Sequence, residues 1–448
     1  MSAKTPNQAL SALLAEAGWT RTQLAQAVNR AGAEAGLTLQ YDHSAVSHWV
    51  RGTVPAAAVQ PVVCAVLTRR LRRPVTSAEA GFPRPDDDLL HPRSGDVVSK
   101  IVDLGRADMD PSRRGVLKAG LYSAALTVPG FSELADRVDA VSDGAGRTVR
   151  VGAGEVATVE RMTVHIADIL DELGAGHARP MAAAFLTNTV GTYLRADATP
   201  QVRASMLSAA SDLVYLIGWM AMYEIEHGLG QSYYHRALDL AAAADDHVTY
   251  CRTLRGMALQ AANLKHAQRA LNLADAAAEA APVSGPRLRA FLAGQQAHGA
   301  ALVRDRRLAF ARLRETEQAL AKADGRNDHL GGYDASAYHF HVSSVMYALG
   351  DVPDSIAAMQ QSQRLRPPTE KQGRAHANGV MAQRQLEVGH VEQAATTWHS
   401  FLDDYEKLSS ARADDHFRTM LAGTRPYSRN PRVRDLRDRA RALVATKA

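Results

Sequence analysis

Residues 42–52 read DHSAVSHWVRG, and the way this stretch folds decides the first eighty residues. Asp42 suits a helix N-cap, because its short carboxylate can accept from the free amides of a first turn, and Gly52 suits the stop. Between them Val46, Trp49 and Val50 stand at i, i+3 and i+4, the spacing of one buried helical face. The remaining positions, His43, Ser44, Ser47, His48 and Arg51, are polar and include no acid. Such a face fits the major groove, where hydroxyl and imidazole groups reach base edges and Arg51 pairs with a phosphate or a guanine.

The flanking sequence supplies the partners such a helix needs. Leu10, Leu13, Leu14 and Ala17 recur at helical spacing before Gly18, and Thr20 with Gln23 forms a capping box ahead of Leu24, Ala27 and Val28. That second helix is expected to run to about Gly36. A fourth is expected from about Pro55 to Leu71 through Val59, Val62, Val63, Val66 and Leu67, ending in TRRLRR, residues 68–73. Its Arg69 and Arg70 are placed for contacts to phosphate that do not depend on base sequence. Residues 1–74 hold eight Lys/Arg against three acids, a net +5, and residues 425–448 hold eight against two, +6. The 350 residues between them therefore carry −6 of the chain's overall +5. A basic patch on a small domain is the footprint of a polyanion partner.

RTQLAQAVN (21–29), HSAVSHWVRGTVP (43–55) and LTRRLRRPVTSAEAGF (67–82) resemble the XRE-type, phage-repressor-like helix-turn-helix of actinomycete regulators of development and antibiotic production. Trp49, Arg51 and Gly52 match the end of that family's recognition helix, and the likeness covers about residues 7–82. It implies phosphate contacts at Thr22 and Gln23 and base contacts at His43, Ser44, Ser47 and His48. One departure stands out: residues 30–41 make a much longer turn than the family uses between its second and third helices.

After Phe82 the composition shifts. PRPDDDLLHPRSGD, residues 83–96, is rich in proline and charge and reads as the start of a linker that reaches residue 155. Within it SRRGVLKAG, residues 112–120, is one substitution from the arginine-pair pattern of exported folded proteins, with an apolar run to Phe131. Because a domain precedes it, the expectation is a docking segment through Val116, Leu117, Leu121, Leu126, Val128 and Phe131 rather than export.

Helical patterns resume near Val156 and then repeat. Units around Gly228, Asn263, Asp305, Gly350 and Gly389 each show a helix, a short turn and a second helix, with turns 35, 42, 45 and 39 residues apart. Ala237, Ala270 and Ala357 are expected where the helices of a hairpin press closest. Gly218-Trp219 and Ala237 to Ala241 carry a resemblance to degenerate TPR repeats over about residues 205–403. The resemblance implies a solenoid with a ligand or partner groove, for which Trp219, Tyr223, His298 and His339 are the candidate lining. Val433, Leu436, Ala440 and Leu443 form a stripe suited to a capping helix.

The fold class expected is therefore all-α: a helix-turn-helix head (1–82), a linker (83–155) and a TPR-like array (156–448). Aromatic residues are only 6% of the chain, and alternating strand-forming runs are few. Cys64 and Cys251 are far apart, no Cys/His spacing suits a metal, and the scattered histidines lie beside no nucleophile or phosphate loop. No catalytic residues, cofactor or membrane partner are expected, and the setting expected is cytoplasmic. The function expected is that of a transcriptional regulator, repressing from double-stranded operator DNA as a homodimer, with a peptide, small-molecule or protein effector in the groove. The alternative is an interaction scaffold whose head does not read DNA.

Overall fold

A computed structural model describes residues 6–34, 39–56, 59–71, 75, 79–82, 97–110, 122, 128, 131, 150–281, 285–323 and 332–447. Among the described residues the chain is all-α, and the only extended pairing is an isolated bridge between Arg150 and Asp197. Two compact units result, residues 1–129 with 226–232 and residues 130–225 with 233–448.

The head contains α1 (Gln8–Ala17), α2 (Arg21–Glu34), α3 (His43–Val50) and α4 (Gln60–Leu71). Each forms where the caps and periodicity place it, except that α4 starts at Gln60, whose side chain turns back to the Pro55 carbonyl at 3.0 Å. Leu10, Leu24, Val28, Val46, Trp49, Val62, Val63, Leu67 and Phe82 share one core. Burying each such side chain contributes about 1.5–3 kcal/mol, the main force holding the four helices together.

Two asparagines fasten what apolar packing leaves loose. Asn7 caps α1 by accepting from Leu10 N at 2.9 Å, while its amide donates to Ala80 O at 2.8 Å and its backbone N–H to Val50 O at 2.8 Å. The 79–82 turn is thereby tied to the helix termini, and Gly81, at φ +66°, leaves the room that Asn7 occupies. Asn29 answers the long α2–α3 connection: it donates to Tyr41 O and accepts from Tyr41 N, both at 2.8 Å. Tyr41 then meets Trp49 edge-on, ring centroids 4.9 Å apart.

The linker is not irregular throughout. Val97–Met109 forms an amphipathic helix, α5, that buries Val98, Ile101, Val102 and Leu104. Of the expected docking segment, Phe131 stacks on His247 at 3.9 Å and meets Tyr250 edge-on at 5.1 Å. Val128 is half-buried, and Val116, Leu117, Leu121 and Leu126 lie outside the described residues.

The second unit opens with α6 (Ala153–Leu173) and α7 (Ala175–Phe185), a π-turn at Leu186–Val190, and α8 (Gly191–Arg195). Helical hairpins follow: α9 (Pro200–Tyr223) with α10 (His227–Ala243, of which residues 233–243 fall in this unit), α11 (His247–Asn263) with α12 (Ala267–Glu279), and α13 (Pro286–Leu302) with α14 (Arg306–Leu320). Three more are α15 (Ala335–Ala348) with α16 (Val352–Leu365), α17 (Lys371–Glu387) with α18 (Val391–Tyr405), and α19 (Ala411–Thr424) with α20 (Pro431–Lys447). The first helices of successive hairpins touch from α9 through α11 and α13 to α15, and α17 touches α19, so they form a common layer. α9 is long and apolar enough to cross a membrane, yet most of it is buried within this unit as a core helix.

The first helix of each of the first five hairpins ends on one left-handed residue: Ile225, Lys265, Arg304, Gly350 and Gly389. These stops are 40, 39, 46 and 39 residues apart, a steadier period than the turn residues suggested. Close approach also differs from the expectation at one place. Ala237 and Ala270 are fully buried, with Ser211 Oγ donating to Ala237 O at 2.8 Å, but Ala357 is exposed. There Ser343 donates to Ser355 O at 2.7 Å and Ser336 to Ser362 O at 3.0 Å, so small hydroxyls join α15 to α16. Val433, Leu436, Ala440 and Leu443 are buried, so α20 closes the array with the stripe the sequence shows.

An L-residue in the left-handed region costs about 1–2 kcal/mol that glycine avoids. A Cβ at Gly389 would meet nothing within 4 Å, so Gly389→Ala isolates that cost. Urea unfolding is expected to show a loss of about 1 kcal/mol for Gly389→Ala and a gain of about 0.5 kcal/mol for Lys265→Gly, where unfolded-state entropy offsets part of the relief.

Candidate functional site

On the head, α3 starts at the Asp42 cap, whose carboxylate accepts from Ala45 N at 2.9 Å. His43, Ser44, His48 and Arg51 are exposed, and so are Thr22, Gln23, Arg69 and Arg70. Ser47 is not available for base reading. It is 5% exposed, donates to His43 O at 2.8 Å and accepts from Arg21 at 3.2 Å, because α2 covers that flank of α3. Two other candidates have structural partners. Gln23 Oε1 accepts from Thr20 N at 2.8 Å in the expected capping box, and Arg70 Nε donates to Ala17 O at 2.9 Å, closing α1, beside the ring of Trp19. Arg21, which the sequence reading passed over, reaches α3 from the start of α2.

The second site is the inner layer of the repeat unit. α6 packs against both α9 and α17, closing the array on itself. Ser409 N donates to Leu173 O and Gly176 N to Ser409 O, each at 2.8 Å. Polar and aromatic side chains of the first helices then become interior. Arg255 on α11 is 6% exposed, its guanidinium 4.0 Å from the ring centroid of Phe291 and 5.2 Å from that of Trp219. Arg412 on α19 lies 5.0 Å over the ring of Tyr223. Among the described residues neither forms an ion pair within 4 Å of a carboxylate, although Asp415, which pairs with Arg418, also acts on Arg412 electrostatically. Arg252, by contrast, is held by Asp212.

Of the groove candidates, Trp219 and Tyr223 lie in this cluster, while His298 is buried on α13 with Arg384 and His341 as its electrostatic neighbours. His339 does not lie there: it is the neighbour of Glu317 on the opposite side of α15. Residues two apart on a helix point about 200° apart, so the inward imidazole of the YHFH pair is His341. Its Nδ1 lies 2.9 Å from Tyr333 Oη, in space left by Gly294, where a Cβ would fall on both groups. Gly379 makes the same room for His416, which is bonded to His376 and Gln383 at 2.9 Å each. For Arg252 and Arg255 the sequence signal was a pair of arginines with no acid nearby in a run rich in small and apolar residues, CRTLRGMALQAA (251–262).

Burial sets the protonation of the interior. It pushes His298 and His416 down to about 4, and holds His341 and His376 well below the ordinary imidazole range, so all four are neutral at pH 7. Asp171 on α6 goes the other way, raised to about 7 by burial and by Glu370, with Arg366 opposing. Elsewhere, a depression of about 670 Å³ lined by Gln385, His390, Gln393, Thr397 and Arg432 opens to solvent. It holds none of the unpartnered buried groups found in the interior.

A family model described as the SP15 N-terminal domain matches residues 10–83, the same span as the head core from Leu10 to Phe82. No curated protein and no solved structure matches the chain.

The interior fixes the pH response. Neutral buried histidines bind fewer protons than the unfolded chain below its ordinary value of about 6.5, so stability is complete above that pH and falls as pH drops toward 4, by about 1.4 kcal/mol per unit per histidine at most. Asp171 has the opposite sign, its contribution present below about 3.8 and lost as pH rises through 7. Thermal unfolding should therefore show Asp171→Asn raising the midpoint at pH 8 and leaving it nearly unchanged at pH 4.

Proposed function

We propose that the chain is a DNA-binding transcriptional regulator, a repressor by preference. The head contacts operator DNA, and the repeat unit mediates dimerisation and holds an effector. The observation that carries this reading is the outer face of α3, where exposed Ser44, His48 and Arg51 stand together, with His43 at the capped end; Arg69 on α4 is exposed as well. Short polar groups on a helix packed through its tryptophan suit base edges, and the surrounding cations suit phosphate. A dimer presents two such heads to two half-sites, and an effector that prefers one arrangement of the repeats by a few kcal/mol shifts the population that binds. The inward turn of Ser47 favours the second reading, a scaffold whose head does not read DNA, because it removes one of the base-reading side chains.

Binding of the full chain to genomic fragments over a range of salt separates the two. A regulator loses affinity steeply with salt and enriches a short palindrome. Arg51→Ala and Arg69→Ala are each expected to reduce the salt slope by about 1, and His48→Ala to relax the sequence preference. Affinity that is flat with salt, or the same for every fragment, would leave the scaffold.

A further inference from the structure

The repeat interior holds polar groups that nothing in the fold satisfies. Gln295 on α13 is 0% exposed, and neither end of its amide has a partner. Tyr234 Oη is likewise enclosed without one, and so are Nδ1 of His298 and Nε of Arg255. Phe291, Gln295 and His298 follow at i, i+4 and i+7, which is one face of α13, and Arg255 lies against that face through Phe291. Arg255 and Arg412 both act electrostatically on Tyr223 and Tyr234, so the two guanidiniums flank the same pair of phenols. A buried polar group without a partner costs about 1–3 kcal/mol, and an uncompensated buried charge costs more. Three such groups, on Gln295, Tyr234 and His298, share this interior with Arg255, a buried cation that has no ion pair, and are the marks of a site made for something else.

We propose that this interior binds a small organic oxyanion, a carboxylate or phosphate ester carried on a flat apolar body. The anion meets the guanidinium of Arg255, with Arg412 adding to the positive field. Tyr234 and the Gln295 amide donate hydrogen bonds to its oxygens. Trp219 and Phe291 supply apolar walls. The neutral state of His298 leaves its ring able to donate or accept, so it can orient a hydroxyl or carbonyl on the ligand body. This deepens the effector half of the reading above and is independent of whether the head reads DNA.

The test uses the purified full chain without DNA. Phenyl phosphate and benzoate serve as charged probes and benzyl alcohol as the neutral control, read by thermal midpoint and tryptophan fluorescence. The charged probes are expected to raise the midpoint saturably, at millimolar concentrations suited to fragments of this size, and benzyl alcohol is expected to leave it unmoved. Arg255→Gln should abolish the shift while keeping or raising the midpoint of the unliganded protein, because it removes a buried charge that has no ion pair. Gln295→Leu, similar in volume, should weaken the probes at least tenfold and leave the unliganded midpoint unchanged or higher. Equal response to the charged and neutral probes, or a lower unliganded midpoint in both variants with probe binding retained, would overturn the proposal. Because no DNA is present, either result leaves the test of the head separate.

Discussion

The repeat unit depends on one seam, the pair of backbone hydrogen bonds through which Ser409 joins the α6–α7 turn. Two glycines make it. Gly174 is held at φ +94°, and a Cβ there would fall on the Ser409 carbonyl, while one at Gly176 would fall on the Ser409 hydroxyl. Lys371 to Glu172 at 3.2 Å and Ala411 N to Glu224 at 3.2 Å lie along the same join. Without it α6 would not reach α17, and the inner faces of the first helices would face water. The raised carboxyl of Asp171 on α6 lies at that closure, with Glu370 and Arg366 acting on it.

Much of the head was legible because its signals are local. Asp42, Thr20 with Gln23, Gly18 and the i, i+3, i+4 runs each specify a turn of chain a few residues long, and each appears where the residues place it. Ser47 shows the limit. At about 100° per residue, Ser44, His48 and Arg51 fall on one side of α3, while Ser47 falls on its flank. Whether a flank is exposed depends on the neighbouring helix, and Arg21 of α2 covers this one. The long α2–α3 connection is likewise secured by Asn29, through a contact that no spacing within the connection reveals.

In the repeats, the existence of hairpins was legible and their internal chemistry was not. Glycine and asparagine near the turns drew attention, but the residues that stop the helices include Ile225, Lys265 and Arg304, which the left-handed region disfavours. Packing at both ends of the turn fixes that conformation whatever the side chain, so the period lies in the backbone more than in residue type. The basic tail is a similar case: its charge suggested an external partner, yet Arg437 donates to Leu421 O at 2.7 Å and Arg439 pairs with Asp403 at 2.7 Å. Those two arginines dock the cap.

The closure also says where an occupant of the interior would act. α6 is the first long helix after the linker, and its inward side contributes Asp171 to the same electrostatic neighbourhood as Tyr223 and Arg366. An anion beside Arg255 would give that guanidinium the ion pair it lacks, favouring the closed seam over any arrangement that admits water. The free energy of that preference is bounded by the difference in affinity between the two arrangements. On the proposed reading the segment most directly coupled to occupancy is α6, because it is both a wall of the interior and the continuation of the chain that leads back to the head.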